Sequence, residues 1–361
     1  MIGIILGTRP ELIKLFPLII KLKEKKINYK IVHTGQHYSK NLNENILKKF
    51  KNMKIDYNLK IGSFSHSKQV SLMMQKIEKV INKEKFSIFI VYGDTNSALA
   101  GALAVAKQKN IKLIHIEAGL RSFEKKMPEE INRIIIDHVS DYLFTPTILA
   151  SKFCINENIN KNKIYFTGNL INDSIKITRK KIKKIKKFPL KKLIKNNYIL
   201  TTFHREENLT DVKRLKNISI LINKLSNYFK VPVVLSCHPH TKKIIKDRKI
   251  VFVKNVFVLD PMDYETFMKL LFYSKFVVSD SGGIQEECCI LKKKILTIRS
   301  STERQETLKI GGNILVNINN YNLNKIKTFL KKKIKWINPY GNFNVSSKII
   351  SNIIKIQKKL I

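Results

Sequence analysis

Acidic residues are scarce in this chain. Its 361 residues include 27 aspartates and glutamates against 69 lysines and arginines, a formal net charge of +42. Such a balance fits either a polyanion partner or lysine decorating solvated faces. The basic residues are spread along the whole chain, with no helix-turn-helix, zinc-finger or aromatic RNA-binding signature beside them. The spread points to solvated faces, so neither nucleic acid nor a membrane is expected as a partner. A positive field would still draw a phosphorylated small molecule. Cysteine is sparse too. Cys154, Cys237, Cys288 and Cys289 fit neither a disulfide framework nor a CxxC metal site. The adjacent Cys288 and Cys289 read as core filling, and a reducing cytoplasm is the expected location. No apolar run approaches membrane-spanning length. The opening MIGIILGTRP carries no basic residue before its short apolar run, so it reads as a buried strand rather than a signal peptide. The GxGxxG dinucleotide fingerprint is missing, and no repeat of solenoid length occurs.

What is present is alternation. Short apolar runs at 2–6, 29–34, 87–92, 112–116, 142–145 and 164–167 are separated by helical patterns at 11–23, 69–82, 96–107, 129–139 and 147–157. Strand–helix–strand alternation predicts a parallel sheet covered by helices. The rhythm pauses near residue 168. A helix at 171–185 leads into a lysine-rich segment, and alternation restarts with strands at 198–203, 232–236, 257–259, 276–279 and 295–298. Helices are predicted at 211–229, 264–271 and 284–291, with one more at 345–359. A chain of this length suits two domains, here 1–168 and 169–344, followed by the terminal helix in 345–361. In doubly wound sheets ligands bind beyond the carboxyl ends of the strands, and the chemically interesting residues cluster just there.

GTRPELIK (7–14) follows the first strand. Gly7 allows a tight turn, Pro10 suits a first helical turn, and Arg9 and Lys14 add positive charge where helix amides face an anion. GQHYS (35–39) offers Gln36 and His37 to a polar ligand, although turn formation explains it equally well. YGDTNSALAGALA (92–104) places Asp94 at a strand exit, as an acid/base group or as a helix N-cap. HIEAGLRSFEKKMPEEINR (115–133) packs four glutamates into an acid-poor chain. Glu117 lies at the same sheet edge as Asp94, with Arg121 as its expected partner. Pro128 starts a helix that puts Glu129 and Glu130 in the first turn, with Glu129 four residues from Arg133. The two readings are a surface ion pair or carboxylates held near arginines for proton transfer.

In the second half FHREEN (203–208) offers His204, and CHPHT (237–241) adds His238 and His240. These histidines lack the tight spacing of a metal site. SDSGGIQEE (279–287) is the most informative segment. Ser281, Gly282 and Gly283 form a small-residue turn whose amides suit a diphosphate, with Glu286 or Glu287 placed to accept from a ribose. An Asp280-capped helix is the structural alternative. STERQET (301–307) brings Arg304 towards the same region.

Taken together, GTRPELIK, GQHYS, YGDTNSALAGALA, HIEAGLRSF, PEEINR, FHREEN, DSGGIQEE, STER and NPYG resemble the UDP-N-acetylglucosamine 2-epimerase family over nearly the whole chain. The resemblance implies an α/β protein of the GT-B fold, two Rossmann-like domains around a cleft, with the terminal helix returning to the first. It implies a UDP-sugar substrate, elimination of UDP to bound 2-acetamidoglucal, and re-addition to give UDP-N-acetylmannosamine without nicotinamide or metal. By motif, Asp94, Glu117, Glu129 and His204 form the acid/base set. Arg9, Lys14, Arg133, His240, Ser281, Gly282, Gly283, Glu287 and Arg304 hold substrate. Family members commonly dimerise, so a homodimer is expected. Three places depart from the family pattern: Gln305 after STER, Cys288 after the glutamate pair, and Tyr38–Ser39 after GQH, where many bacterial members carry basic or polar residues and use the QH segment to help bind an activating substrate molecule. The rivals are a hydrolysing epimerase, an epimerase of a modified sugar such as a diacetamido uronic acid, and a GT-B glycosyltransferase.

Overall fold

In the computed structural model, which describes residues 1–36, 53–182, 189–190 and 193–359, the predicted alternation becomes two all-parallel sheets. His37, Tyr38 and Ser39 lie outside the described residues. Strands β1 (Ile2–Leu6), β2 (Tyr29–His33), β3 (Tyr57–Asn58), β4 (Ile88–Tyr92), β5 (Lys112–Ile116), β6 (Tyr142–Thr145) and β7 (Ile164–Phe166) form the first, in the order β3-β2-β1-β4-β5-β6-β7. Strands β8 (Ile199–Thr202), β9 (Val233–Ser236), β10 (Val256–Leu259), β11 (Phe276–Ser279), β12 (Ile295–Thr297) and β13 (Asn313–Leu315) form the second, in the order β10-β9-β8-β11-β12-β13. The strands read as unbroken apolar runs because both faces of a parallel sheet are covered. β4, for example, is IFIVY with every residue buried.

The chain divides into two compact units, Met1–Ser174 with Pro339–Ile361, and Ile175–Asn338. The junctions read from the sequence, at 168 and 345, lie a few residues from these. Among the described residues no helix is long and apolar enough to cross a membrane.

Strand order reverses direction at β1/β4 in the first unit and at β8/β11 in the second, and ligand-binding loops gather at such switch points. The loops after β1 and β4 carry Gly7–Thr8 and Gly93–Thr95, and those after β8 and β11 carry His204–Arg205 and Asp280–Ser281. Close approach of the Asn96–Ala106 helix fixes the first pair. A Cβ at Gly101 would stand 2.4 Å from Ile5 Cδ1, so only a residue without a side chain lets the helix lie this near the sheet.

Some elements were hidden in the sequence. β3 and β13 are two and three residues long. The helices Pro239–Asp247 and Leu323–Lys331 are nine residues each; their short stripes, Ile244 and Ile245 in one and Leu323, Ile326, Phe329 and Leu330 in the other, pack on the second unit's core.

The helix Val345–Lys358 packs on the Arg9–Glu24 helix, and its Ile349, Ile350, Ile353 and Ile356 join Leu12, Leu15 and Leu18 in the first unit's core. Its own N-cap residue, Asn344, is left-handed and makes no side-chain cap. Asp173 does that work from elsewhere in the chain. Its carboxylate accepts from the amides of Asn344 (2.6 Å), Val345 (3.2 Å) and Ser346 (2.8 Å) and from the Ser346 hydroxyl (2.6 Å). Removing these acceptors orphans helix amides. Asp173→Ala is therefore expected to destabilise the first unit by about 1–2 kcal/mol, read as an earlier transition in urea. An unchanged midpoint would show that the cap contributes nothing.

Candidate active site

Two carboxylates stand at the ends of neighbouring strands of the first sheet. β4 and β5 pair with Tyr92 opposite Ile116, so Asp94 and Glu117 leave the sheet side by side. Glu117 is buried, with 7% of its surface exposed. Its Oε2 accepts from Lys14 Nζ at 2.7 Å and from the Tyr92 hydroxyl. Lys14 in turn lies over the Tyr92 ring, 5.4 Å from its centroid. The residue is held at φ +73°, a left-handed conformation costly for any residue with a side chain. The sequence pairing of Glu117 with Arg121 does not form. Arg121 turns inward, 2.7 Å from Asp137 Oδ2 and bidentate to Glu157 at 2.7 and 2.6 Å, because a buried guanidinium needs several acceptors.

Asp94 is not the N-cap of the following helix. Thr95 is, its hydroxyl accepting from Ala98 N at 3.1 Å. The Asp94 carboxylate instead meets Arg133, Nε at 3.2 Å with Nη2 on the same oxygen, while Asn132 donates to its carbonyl at 2.8 Å. Arg133 also grips Glu130 through Nη1. Glu129, the expected i,i+4 partner of Arg133, is half-buried and takes no part in that pair. The preference has a cause. Glu130 is 1% exposed and anchors the preceding loop by accepting from Ser122 N (3.0 Å), Ser122 Oγ (2.8 Å) and Phe123 N (2.7 Å). A charge that deep needs the cation more than one at the surface does.

Arg9 begins the first helix, half-buried beside the Gly7–Thr8 turn. Glu11 closes that turn, accepting from Gly7 N and Thr8 N at 2.7 Å and from Thr95 Oγ1 at 2.6 Å. Burial raises its carboxyl above the usual value, and the bonds from Thr95, Gly7 and Thr8 offset part of the rise. Gln36 accepts from Ser97 N at 3.0 Å and from its hydroxyl at 2.7 Å, which braces the loop after β2 against the start of the Asn96–Ala106 helix.

In the second unit Asp280 does not cap the Gly282–Ile290 helix. It crosses the switch point instead, accepting from the amides of His204 (3.0 Å) and Arg205 (2.9 Å) and from Asn208 Nδ2 (2.9 Å). His204 is thereby fixed by its backbone, its ring 56% exposed and 3.5 Å from Asp280. The helix is left with Ser281 at its N-cap, and the serine side chain makes no capping bond. Gly282 and Gly283 are not alike. A Cβ at Gly282 would meet Glu303 Oε1 at 2.5 Å, whereas at Gly283 the nearest atom is 4.0 Å away. Gly283 therefore leaves open the space over a positively polarised helix end, where an anion is favoured.

Arg304 is buried beneath this turn and bonded to Glu286 and Glu303, each at 2.8 Å, so its visible role is to brace the turn. Glu286 meets Arg304 through Oε1 alone, and Glu287, 7% exposed, lies 3.0 Å from the Tyr264 hydroxyl. His240 is exposed in the Pro239–Asp247 helix, its amide held by His238 Nδ1 at 3.3 Å. No cluster of three or more potential metal ligands occurs among the described residues. Cys288 and Cys289 are buried free thiols.

Sequence reasoning missed Tyr92, Glu130 and Asp137 as working residues. Their signal was available. Glu130, Arg133 and Asp137 recur at helical spacing on the buried face of the Pro128–Val139 helix, and charged residues on a buried face must have partners.

A family model described as UDP-N-acetylglucosamine 2-epimerase matches residues 20–354. The UDP-N-acetylglucosamine 2-epimerase of Methanocaldococcus jannaschii is 42% identical over 358 residues, 97% of each chain. A crystal structure of the M. jannaschii enzyme in complex with UDP-GlcNAc and UDP superimposes with a TM-score of 0.87 at 39% identity, covering 98% of this chain and 99% of that one. The UDP-2,3-diacetamido-2,3-dideoxy-D-glucuronate 2-epimerase of Pseudomonas aeruginosa is 37% identical over 98% of this chain and 99% of its own. The fold expected from the motifs, α/β with two Rossmann-like units of the GT-B class, is the fold of the solved relatives.

Arg133 neutralises two carboxylates at once. Arg133→Met is expected to destabilise the first unit by roughly 3 kcal/mol, since it strands Glu130 as a buried charge. The check is the urea midpoint at unchanged slope. A loss within the scatter of surface substitutions would mean that Glu130 is satisfied by its amide donors alone.

Proposed function

The chain belongs to the UDP-N-acetylglucosamine 2-epimerase family, and from that footing we propose that it interconverts UDP-N-acetylglucosamine and UDP-N-acetylmannosamine without net hydrolysis. The observation that carries the reading is the pair Asp94 and Glu117. They are carboxylates at adjacent strand ends, each beside its own cation, in a chain where acids are otherwise rare. The proton on C2 of the sugar is not acidified by a neighbouring carbonyl, so it leaves only if an electron sink opens at once. A carboxylate takes that proton, the C–H electron pair becomes the C1=C2 bond, and the C1–O bond breaks with its pair on the diphosphate. UDP and 2-acetamidoglucal result. Delivery of a proton to the other face of C2, with the diphosphate oxygen returning to C1, gives the epimer.

The step asks for a base, an acid and charge stabilisation on the leaving group. Asp94, Glu117 and Glu129 supply the proton chemistry, with His204 as the further titratable group. Lys14 and Arg133 stand beside Glu117 and Asp94 and balance the negative charge there. The Ser281–Gly283 helix start, with Arg9 and His240, receives the diphosphate, and Glu287 the ribose. Under the same reading the protein acts as a cytoplasmic homodimer on precursors of surface polysaccharide. A second reading, epimerisation of a diacetamido uronic acid sugar, is supported by the Pseudomonas aeruginosa relative and uses the same chemistry at C2.

Incubation with UDP-N-acetylglucosamine in deuterated water, followed by NMR, is expected to place deuterium at C2 with the UDP bond intact. Free sugar would mark a hydrolase. Exchange only with the diacetamido uronic acid substrate would favour the second reading, and transfer to an acceptor without exchange would overturn both. Asp94→Asn and Glu117→Gln are expected to retain UDP binding and lose on the order of a hundredfold or more in turnover; near-normal rates would remove the residue from its role. Gly283→Val is expected to fold, because the space is open, but to weaken UDP binding by about tenfold or more through blocked helix amides. Calorimetric titration with UDP checks this, and unchanged affinity would displace the diphosphate from that turn.

A further inference from the structure

Beneath the two strand ends lies a buried cluster that the proposed chemistry does not touch. His115, in β5, is fully buried. Its Nε2 faces the Gly93 carbonyl at 2.9 Å and its Nδ1 faces Asp137 Oδ1 at 2.7 Å. Asp137 Oδ2 accepts from Gly119 N at 3.0 Å and lies 2.7 Å from Arg121 Nη1. Arg121 also donates to Glu157. The imidazole itself is faced by Asp137, on the Pro128–Val139 helix, and by the Gly93 carbonyl after β4; behind Asp137 stand Arg121 from the loop after β5, Glu157 at the end of the Ile148–Asn156 helix and the Cys154 thiol of that helix.

A carbonyl only accepts, so Nε2 carries a proton. Asp137 sits against a guanidinium and takes a backbone amide, which favours the ionised carboxylate. Burial alone would raise its proton affinity, but His115 and Arg121 hold it below the usual aspartate value. An ionised carboxylate also only accepts, so Nδ1 carries a proton as well. Two positive and two negative groups then balance, as burial requires.

The cluster grips the two loops that carry the proposed acid/base residues. Gly93 immediately precedes Asp94. Gly119 and Arg121 follow Glu117 in a turn where Glu117 and Gly119 are both left-handed, at φ +73° and +80°. A Cβ at Gly119 would stand 2.4 Å from the Ala150 carbonyl, so the turn is pressed onto the helix behind it.

We propose that His115, as a doubly protonated imidazolium, and Asp137 are positioning residues that lock the Gly93–Asp94 and Glu117–Gly119 backbones in one geometry for proton transfer at C2. This rests on the epimerase reading, and the experiment separates the two. In 15N-histidine NMR of the unaltered protein, the ring whose N–H protons exchange slowly is expected to show both nitrogens protonated, with or without substrate. A single neutral tautomer there would overturn the proposal. In Asp137→Asn the carboxylate is lost while the side-chain shape is kept. The folded variant is expected to show a neutral His115, and kcat lowered on the order of a hundredfold with KM little changed, since small misplacements of catalytic groups act on turnover. Wild-type kcat in that variant would equally overturn the proposal. If Asp137→Asn fails to fold, the spectrum of the unaltered protein decides. Absence of C2 exchange in the unaltered protein would refute the epimerase reading, while the histidine spectrum still judges the cluster.

Discussion

A carboxylate placed at the end of a buried strand is costly to hold there unless a cation is brought to it. The first unit meets that constraint twice, with Lys14 at Glu117 and Arg133 at Asp94. Most of the local architecture follows from it. Lys14 is carried by the first helix, so the turn at Gly7–Thr8 must be tight, and Glu11 closes it. Arg133 must reach past the loop after β4, so Glu130 beside it anchors the Ser122–Phe123 backbone. In a protein whose surface lysines outnumber its acids, these buried cations are distinguished by having nowhere else to go.

The second unit applies a different rule. Its acids are turned away from the open side of the Ser281–Gly283 turn. Asp280 holds the His204–Arg205 backbone, and Glu286 and Glu303 hold Arg304. What faces outward there is backbone, and backbone amides are a sequence-tolerant way to meet phosphate. The turn therefore needs glycine at two positions for two reasons. At Gly282 the Glu303 carboxylate stands where a Cβ would go, and at Gly283 the space over the helix end stays open.

Strands, helices and the sheet-end position of the candidate residues were legible because parallel strands buried on both faces leave continuous apolar runs, and the motif positions fall directly after them. Partnerships were not. Among the local alternatives the sequence offered were Glu117 with Arg121, Glu129 with Arg133, and caps by Asp94 and Asp280; in the structure Arg121 and Arg133 take other carboxylates, and Asp94 and Asp280 bond elsewhere. The reason is common to all four. Local spacing favours the neighbour in the chain, whereas burial favours whichever partner the neighbouring strand or helix delivers, and that depends on topology. The charged triplet Glu130, Arg133 and Asp137 shows what a better reading would use, since charge at helical period on a covered face announces partners elsewhere. The helices Pro239–Asp247 and Leu323–Lys331 are harder to read for another reason: each is nine residues long, so its apolar stripe repeats for little more than about two turns.

The first unit is discontinuous, its core completed by the helix Val345–Lys358 after the whole of the second unit has intervened. During synthesis, the face formed by Leu12, Leu15 and Leu18 is made early and covered last. The inserted unit can finish folding on the ribosome while its predecessor still waits with an oily seam. The isoleucines that zip this seam shut, capped by Asp173, thus make completion of the first unit a late event of biogenesis, one that any truncation of the tail would forestall.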